Sequence, residues 1–146
     1  MPIRLSGPPP GVRGARVDVG LLRRRAKIML SEVGQGRAEL SVALVDDPAI
    51  RELNRDWRGK KRATDVLSFS LLEGESTGHR GKLLGDIVIS VETAARQAAA
   101  RHRGLDEEVA RLVVHGLLHI LGHDHEADAD SRVMEAEQRR LWRALA

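Results

Sequence analysis

Four of the six histidines of this chain lie within residues 115–125, and three of them have the spacing H-x3-H-x5-H. Residues four apart share one face of an α-helix, so this spacing places His115 and His119 side by side. Gly122 can end that helix in a left-handed conformation, and the following turn can bring His125 back to the pair. Three imidazoles that leave a fourth position open are typical of a catalytic zinc site. The pattern therefore predicts a helix that ends at a metal centre.

The residues around this pattern limit its chemistry. A single histidine on an apolar helix face is usually a core residue, and it is the set of three that favours metal ligands. His123 and Asp124 fit three roles equally: a ligand, a hydrogen-bonding partner of an imidazole N–H, or a solvated loop residue. The chain has no cysteine, so only His, Asp and Glu are available to bind a metal.

Position 116 distinguishes this pattern from that of zinc proteases. In the H-E-x-x-H motif of those enzymes, a glutamate follows the first histidine and is the general base for water. Gly116 stands at that position here and cannot accept a proton. The metal spacing is therefore that of a protease, but the base that a protease needs is absent.

Length and composition predict one domain. The chain has 146 residues, enough for a single hydrophobic core. We expect residues 1–14, which are rich in Pro and Gly, to be irregular and residues 15–146 to form the domain. The first residues lack the apolar region of an export signal, and no apolar run is long enough to span a bilayer. We therefore expect a cytoplasmic protein with no membrane partner, in agreement with the absence of cysteine.

Hydrophobic periodicity predicts a chain of mixed secondary structure. A polar, Gly-rich loop is expected at 73–82. Asp46 is a predicted N-cap, with proline in the first turn that follows. This order predicts one mixed sheet covered by helices, an α+β fold with the histidine pair on a central helix. The predicted strands are 15–19, 38–45, 66–72 and 84–90, and the predicted helices are 20–33, 47–57, 91–102, 105–121 and 128–144.

A basic segment, residues 51–62, contains six basic and two acidic side chains. Its charge indicates either a phosphate-binding edge beside the metal site or a solvated helix end, where cations are also favoured. Trp57 can stack on a base. In a chain with only two Trp, one Phe and no Tyr, however, we expect Trp57 in the core. The candidate phosphate contacts are Arg55, Arg58, Lys60, Lys61 and Arg62.

Asp86 follows Gly85 where a strand is expected to begin. An acidic residue at such a place is usually part of a turn. The alternative is that Asp86 supports a histidine of the metal site through its N–H. Spacing alone does not separate the two.

Together these motifs identify a family resemblance. The run H-G-x-L-H-x-x-G-x-D-H over residues 115–125 closely resembles the signature of the YbeY family, metal-dependent bacterial endoribonucleases of ribosomal RNA maturation. The resemblance extends over about residues 40–145. It departs from the family at His123, where tyrosine is usual, and at Ser70, where proline is common. The further matching blocks are 53–54, 58–60, 64–69, 84–90 and the helix that contains Met134, Glu135 and Glu137.

The resemblance implies an α+β fold with a small, mostly parallel sheet, and one zinc ion bound by His115, His119 and His125. It implies single-stranded RNA as substrate, with a role on the small ribosomal subunit in 16S rRNA 3′-end maturation and in ribosome quality control. The functional arginine of the family corresponds to Arg58. We therefore expect Arg58, His115 and His119 to be catalytic, and the basic segment to bind RNA.

The expected reaction is metal-assisted cleavage of a phosphodiester bond. Arg58, with Lys60 and Lys61, would hold the phosphate and offset charge in the transition state. The sequence leaves open whether water or the RNA 2′-OH attacks, which group is the base, and the oligomeric state. Three imidazoles also suit nickel, copper or iron. Two other functions stay open: a non-catalytic ribosome-assembly factor with a structural zinc, and a zinc peptidase.

Overall fold

The computed structural model describes residues 3–10, 16–60, 62, 64–71, 83–123 and 128–145. None of the helices within these ranges is long and apolar enough to cross a membrane. The elements in chain order are β1 (Ile3–Ser6), α1 (Val19–Glu32), β2 (Glu39–Val45), α2 (Asp47–Arg58), β3 (Val66–Ser70), β4 (Leu83–Ser90), α3 (Val91–Ala100), α4 (Leu105–Ile120) and α5 (Asp128–Leu145).

The four strands form one sheet in the order β1-β2-β4-β3. The first three of these run parallel, and β3 is antiparallel to β4 at the edge. The predicted α+β fold with a small, mixed and mostly parallel sheet is confirmed. β2 and β4 are central and carry apolar runs, as strands covered on both faces do.

The main core lies between one face of the sheet and helices α1, α4 and α5. Ile87 and Ile89 of β4 face this core, whereas Val88 faces the opposite side and packs with Ile50 of α2. This alternation is the two-residue period of a strand. α4 is apolar around most of its surface, with Val113 and Leu117 fully buried, and is therefore held firmly by its neighbours.

The ends of α2 are set by local sequence, and the predicted N-cap at Asp46 is confirmed. The carboxylate of Asp46 accepts a hydrogen bond from the backbone N–H of Ala49 at 3.0 Å, and Pro48 lies in the first turn. Gly59 ends the helix with φ +69°, a left-handed conformation that glycine adopts without strain. These two ends place Arg58 in the last turn of α2.

The N-terminal region differs from the prediction. Residues 3–6, part of the segment predicted to be irregular, form β1, which pairs with β2 and buries Ile3. The strand predicted at 15–19 is wrong over residues 16–18, which precede α1. There the carboxylate of Asp18 accepts the N–H of Leu21 and caps the helix. The cap at Asp18 and the pairing of β1 with β2 determine the structure here, and the short alternation of apolar and polar residues at 15–19 does not.

The remaining predicted elements agree with the structure to within two residues at each end. Asp86 is an exception in detail, because it lies inside β4 rather than in a turn. The polar loop predicted at 73–82 lies outside the described residues.

Candidate active site

His115 and His119 of α4 lie side by side, as their spacing predicts. Their Nε2 atoms are 3.1 Å apart, and their rings meet edge to face with centroids at 4.5 Å. Two imidazole nitrogens that share a tetrahedral zinc, with bonds of about 2.0–2.1 Å, would be separated by roughly 3.3 Å. The separation therefore fits a pair of ligands for one ion, and it also fits a hydrogen bond between the two rings.

The third predicted ligand, His125, lies outside the described residues, as does Asp124. Among the residues that are described, no group of three His, Asp or Glu side chains lies close enough to hold a metal. A complete ligand set at the pair thus needs a further residue, and His125 stays the predicted one.

Gln138 of α5 contacts the other nitrogen of the His115 ring. Its amide Nε2 lies 3.1 Å from His115 Nδ1. His115 is thereby held from two sides, by His119 through one nitrogen and by Gln138 through the other. No pattern in the sequence singled out Gln138, because the contact joins two helices that are distant along the chain.

The pair lies at the carboxyl end of α4. Gly122 has φ +96°, and the N–H of His123 donates to the carbonyl of Leu118 at 2.9 Å, so the predicted glycine stop is confirmed. Ser70 Oγ donates to the carbonyl of Ile120 at 3.1 Å and ties β3 to this end. A proline at position 70 could not make that bond. The negative end of the helix dipole at this terminus favours a nearby cation.

A cleft of about 570 Å³ opens beside the histidine pair, between the end of α2, the start of β3 and α4. Among the described lining residues, Arg58, Lys60 and Arg62 supply three cationic groups, and Asp65 supplies one carboxylate. The histidine pair therefore borders a cleft with an excess of positive charge. The described residues that line it are Asn54, Arg58, Lys60, Arg62, Thr64, Asp65, Val66, Leu67, Ser68, His115, Gly116 and His119.

Arg58 is held in place within this cleft. Its Nη2 donates to the carbonyl of Ser68 at 2.7 Å, and its guanidinium carbon lies 5.4 Å from the centre of the Phe69 ring. One hydrogen bond and one cation–π contact fix the plane of the guanidinium. The remaining N–H groups keep the fork geometry that suits a phosphate.

Asn54 shapes the opposite wall. It is buried on α2, and its side-chain amide donates to the carbonyl of Arg62 at 2.9 Å. The backbone N–H of Lys60 donates to the carbonyl of the same asparagine. These bonds hold the two basic residues at the cleft. The signal in the sequence is a polar residue four positions after Ile50, on the same face of the helix.

Three of the candidates that the structure describes do not line the cleft. Arg55 is exposed and bonds to the carboxylate of its neighbour Asp56. Asp86 lies on the face of β4 opposite to Ile87, so it points away from α4. His123 is not among the residues that line the cleft, and Lys61 is outside the described residues. Among the described candidate phosphate contacts, Arg58, Lys60 and Arg62 therefore line the cleft and Arg55 does not.

His123 lies near α5. The hydrogen bond from Arg140 lowers the pKa of Glu137, and the charge of His123 acts in the same direction.

Gly116 packs directly against the sheet. A Cβ atom at this position would lie 3.1–3.2 Å from three side-chain carbons of Ile87. Such contacts are tighter than ordinary van der Waals packing. A glutamate at position 116, as in a zinc protease, would need Ile87 to move. The missing protease base thus has a packing reason in this fold.

Trp57 is not a core residue, contrary to the prediction. Its surface is 70% exposed. It continues the inward stripe of Ile50 and Asn54 on α2, and at the end of the helix Phe69 of the edge strand contacts it at 6.2 Å between ring centroids. The helix therefore carries the stripe to a place where little of the sheet lies beneath it.

Comparison with known proteins gives a consistent family. The family model described as Endoribonuclease YbeY matches residues 20–146. The Endoribonuclease YbeY of Anaeromyxobacter sp. (strain Fw109-5) is 49% identical over 144 residues, which are 99% of this chain and 72% of that relative. The protein of the same name from Anaeromyxobacter dehalogenans (strain 2CP-C) is 48% identical over 136 residues, 93% of this chain and 67% of the relative.

One solved structure is also similar. The solution structure of a protein from Thermotoga maritima superposes with a TM-score of 0.66 at 29% sequence identity. The match covers 98% of this chain and 88% of that protein. The two chains therefore share their fold over almost their full lengths.

Proposed function

Because the chain belongs to the YbeY family of endoribonucleases, we propose that its cleft is a zinc-dependent active site that cuts single-stranded RNA. The observation that carries this proposal is the position of the histidine pair. His115 and His119 bring two Nε2 atoms to 3.1 Å at the edge of a cleft that also contains Arg58. Metal ligands and a phosphate-binding group are thus within one cavity.

The proposed roles follow from the chemistry of each side chain. His115, His119 and the predicted ligand His125 hold the zinc. When bound, zinc supplies a Lewis acid for phosphoryl oxygens and lowers the pKa of water. Gln138 keeps the His115 ring in position for this purpose. The basic residues of the cleft bind and orient the substrate.

Arg58 is proposed to bind the phosphate that is cleaved. Its guanidinium is already fixed by the carbonyl of Ser68 and the ring of Phe69, so little side-chain entropy is lost when RNA binds. Donors placed in advance where negative charge develops stabilise the transition state. Lys60 and Arg62 would hold neighbouring phosphates and orient the strand.

The cellular role that we propose is 16S rRNA 3′-end maturation and ribosome quality control on the small ribosomal subunit. It rests on the family resemblance and on a cleft whose charge suits an RNA backbone. Nothing in the cleft separates water from the RNA 2′-OH as the nucleophile. Replacing the ribose at the cleaved nucleotide by deoxyribose separates them, because attack by the 2′-OH requires that group.

Two other functions predict different results. A ribosome-assembly factor with a structural zinc would use the same basic cleft for binding, but the purified protein would not cut RNA. A zinc peptidase would need a base that Gly116 does not supply, and a larger residue there would require the side chain of Ile87 to shift. The packing of Gly116 therefore disfavours the peptidase.

The experiment compares three substrates with one preparation: a single-stranded RNA, the same RNA annealed to its complement, and unstructured casein. We expect cleavage of the single strand alone, and loss of cleavage when a chelator removes the metal. Cleavage of casein would support the peptidase. Binding of the single strand without cleavage, at a zinc content of one ion per chain, would support the assembly factor.

A further inference from the structure

Trp57 is the most exposed large hydrophobic side chain in the described part of the protein. Its 70% exposure exceeds that of Val133, Val19 and Ile28. The chain has only two tryptophans and one phenylalanine, and one of the tryptophans occupies this surface position. The last turn of α2 therefore presents a large aromatic surface to solvent without burying it.

This tryptophan lies beside the proposed active site. Trp57 and His119 line a common recess of about 400 Å³, and Arg58 lines both this recess and the cleft. A second recess, of about 510 Å³, continues on the far side of Trp57 and Phe69. The groove thus runs from the basic cleft, past the histidine pair, to the indole ring.

The neighbours of Trp57 orient it without covering it. The Phe69 ring meets the indole at an interplanar angle of 70°, an edge contact rather than a stack. The guanidinium of Arg58 lies over Phe69 on the same strand edge. The indole is therefore supported from one side, while most of its surface is free for a flat partner.

We propose that Trp57 is a stacking platform for one unpaired nucleobase of the RNA strand whose phosphate lies at Arg58. The inference rests on the proposed function and adds a binding subsite to it. Stacking on an aromatic ring is the usual way in which proteins hold single-stranded bases, since every base has a flat π face. In a duplex the base would be paired and stacked within the helix, so the subsite selects single strands.

The charge around Trp57 favours a nucleic acid over a protein partner. Arg58, Lys60 and Arg62 lie along the cleft that leads to the recess, and they match a chain of phosphates. Trp57 and Arg58 are consecutive, so a base and its adjacent phosphate would meet consecutive side chains of one helix end. An apolar protein surface would leave those cations without an oppositely charged partner.

The first test compares cleavage by the wild type, Trp57→Ala and Trp57→Phe. We expect Trp57→Ala to raise KM or lower kcat/KM about tenfold, within the usual energy of base–aromatic stacking, and Trp57→Phe to restore most of it. Val133→Ala, which removes an exposed apolar side chain on α5, is the matched control and should behave as the wild type. Because Trp57 is exposed, none of these variants should change the thermal midpoint appreciably.

The second test observes the indole directly in a Trp142→Phe protein, in which Trp57 is the remaining tryptophan. Rapid mixing with a short single-stranded RNA should quench its fluorescence. A set of RNAs, each with one abasic ribose, should show one position at which the quench is lost. At that same position, removal of the base should cost the wild type its affinity and cost Trp57→Ala little.

The outcomes separate this subsite from the proposed function. Equal quenching by every abasic RNA, or cleavage by Trp57→Ala at the wild-type kcat/KM, would overturn the stacking subsite while RNA cleavage stands. A wild type that cuts no RNA would instead overturn the nuclease, and position-specific quenching would still report stacking. Loss of affinity for a ribosomal protein in Trp57→Ala, with RNA binding unchanged, would assign the surface to a protein partner.

Discussion

The side-chain amide of Gln138 lies 3.1 Å from Nδ1 of His115, on the side of the ring away from His119. If Nε2 of His115 binds a metal, then Nδ1 carries the proton and donates it. The amide of Gln138 must then be oriented with its oxygen, rather than its nitrogen, towards Nδ1. With its oxygen towards Nδ1, this residue of α5 would favour the tautomer of His115 that leaves Nε2 free for the proposed metal.

Replacing Gln138 should therefore weaken metal binding. We expect Gln138→Leu to raise the zinc Kd by about 10- to 100-fold, the usual cost of losing such a partner, and Gln138→Glu to keep affinity close to the wild type. Competition with a chromogenic chelator measures the Kd. An unchanged Kd in Gln138→Leu would show that the amide only packs against the ring. The thermal midpoint of each variant, measured in the presence of chelator, controls for general destabilisation.

Arg58 should be the most sensitive basic residue of the cleft. Arg58→Ala is expected to lower kcat/KM for RNA cleavage by about 100-fold or more, as the loss of a fixed donor to a developing oxyanion does. Arg58→Lys keeps the charge but loses the planar fork, so it should recover only part of the activity.

A charge-matched control for Arg58 is Arg24→Ala. Arg24 is exposed on α1, and it lines neither the cleft nor the recess beside it. Cleavage by this variant should equal that of the wild type. A similar loss in both variants would mean that only net charge matters and that the cleft has no specific phosphate site.

Gly116 and Ile87 should be strongly coupled in stability. In an ordinary helix, Gly→Ala stabilises by about 1 kcal/mol, but overpacking against Ile87 costs about 1–3 kcal/mol. We expect Gly116→Ala to lower the free energy of unfolding in the wild type and to raise it in an Ile87→Ala background, where the contact is gone. Chemical denaturation of the four proteins gives the coupling energy.

The control for this cycle is Gly20→Ala in α1. A Cβ there would meet only the carboxylate of Asp18, at 3.5 Å, an ordinary contact. This variant should be neutral or slightly stabilising. If Gly116→Ala stabilised the protein by the same amount in both backgrounds, position 116 would be open and the packing argument against a protease base would fail.

Asp47 should make the stability depend on pH. Burial raises the pKa of this carboxyl, but hydrogen bonds from Ser90, Thr93 and Arg96 outweigh it, and the pKa lies below the usual 3.8. A lowered pKa in the folded state stabilises the protein above the unfolded-state pKa, and this contribution is lost as the pH falls through the folded-state pKa.

Asp47→Asn should therefore lower the free energy of unfolding by about 1–2 kcal/mol at pH 7. The difference from the wild type should shrink progressively below pH 3.8. Urea denaturation at several pH values measures it. Asp56→Asn, at an exposed ion pair, should have little effect at any pH. A constant difference for Asp47→Asn would assign its effect to packing rather than to charge.

Local signals in the sequence were sufficient for most elements of the fold. The N-cap at Asp46 and the glycine stop at Gly122 appear where the sequence places them, because capping depends on a few adjacent residues. β1 was missed because its four residues are stabilised by pairing with β2, a contact between distant parts of the chain. Short strands of this kind have no local pattern strong enough to predict them.

In the candidate site, too, contacts between nearby residues could be predicted and contacts between distant residues could not. The helix period brings His115 and His119, which are four positions apart, to the same face of α4. The contact of Gln138 with His115, and the bond from Asn54 to the carbonyl of Arg62, join different elements and could not be predicted from spacing. Trp57 was placed in the core because aromatic residues usually are buried, and its exposure depends on where α2 ends relative to the sheet.

The most direct measurement is a paired assay of zinc content and RNA cleavage on the wild type and His119→Ala, purified identically. His102→Asn, at an exposed histidine with φ +54°, controls for the loss of a histidine. The account predicts one zinc per chain and cleavage of single-stranded RNA for the wild type and the control, and neither for His119→Ala. Cleavage by zinc-free His119→Ala at the wild-type rate would contradict it.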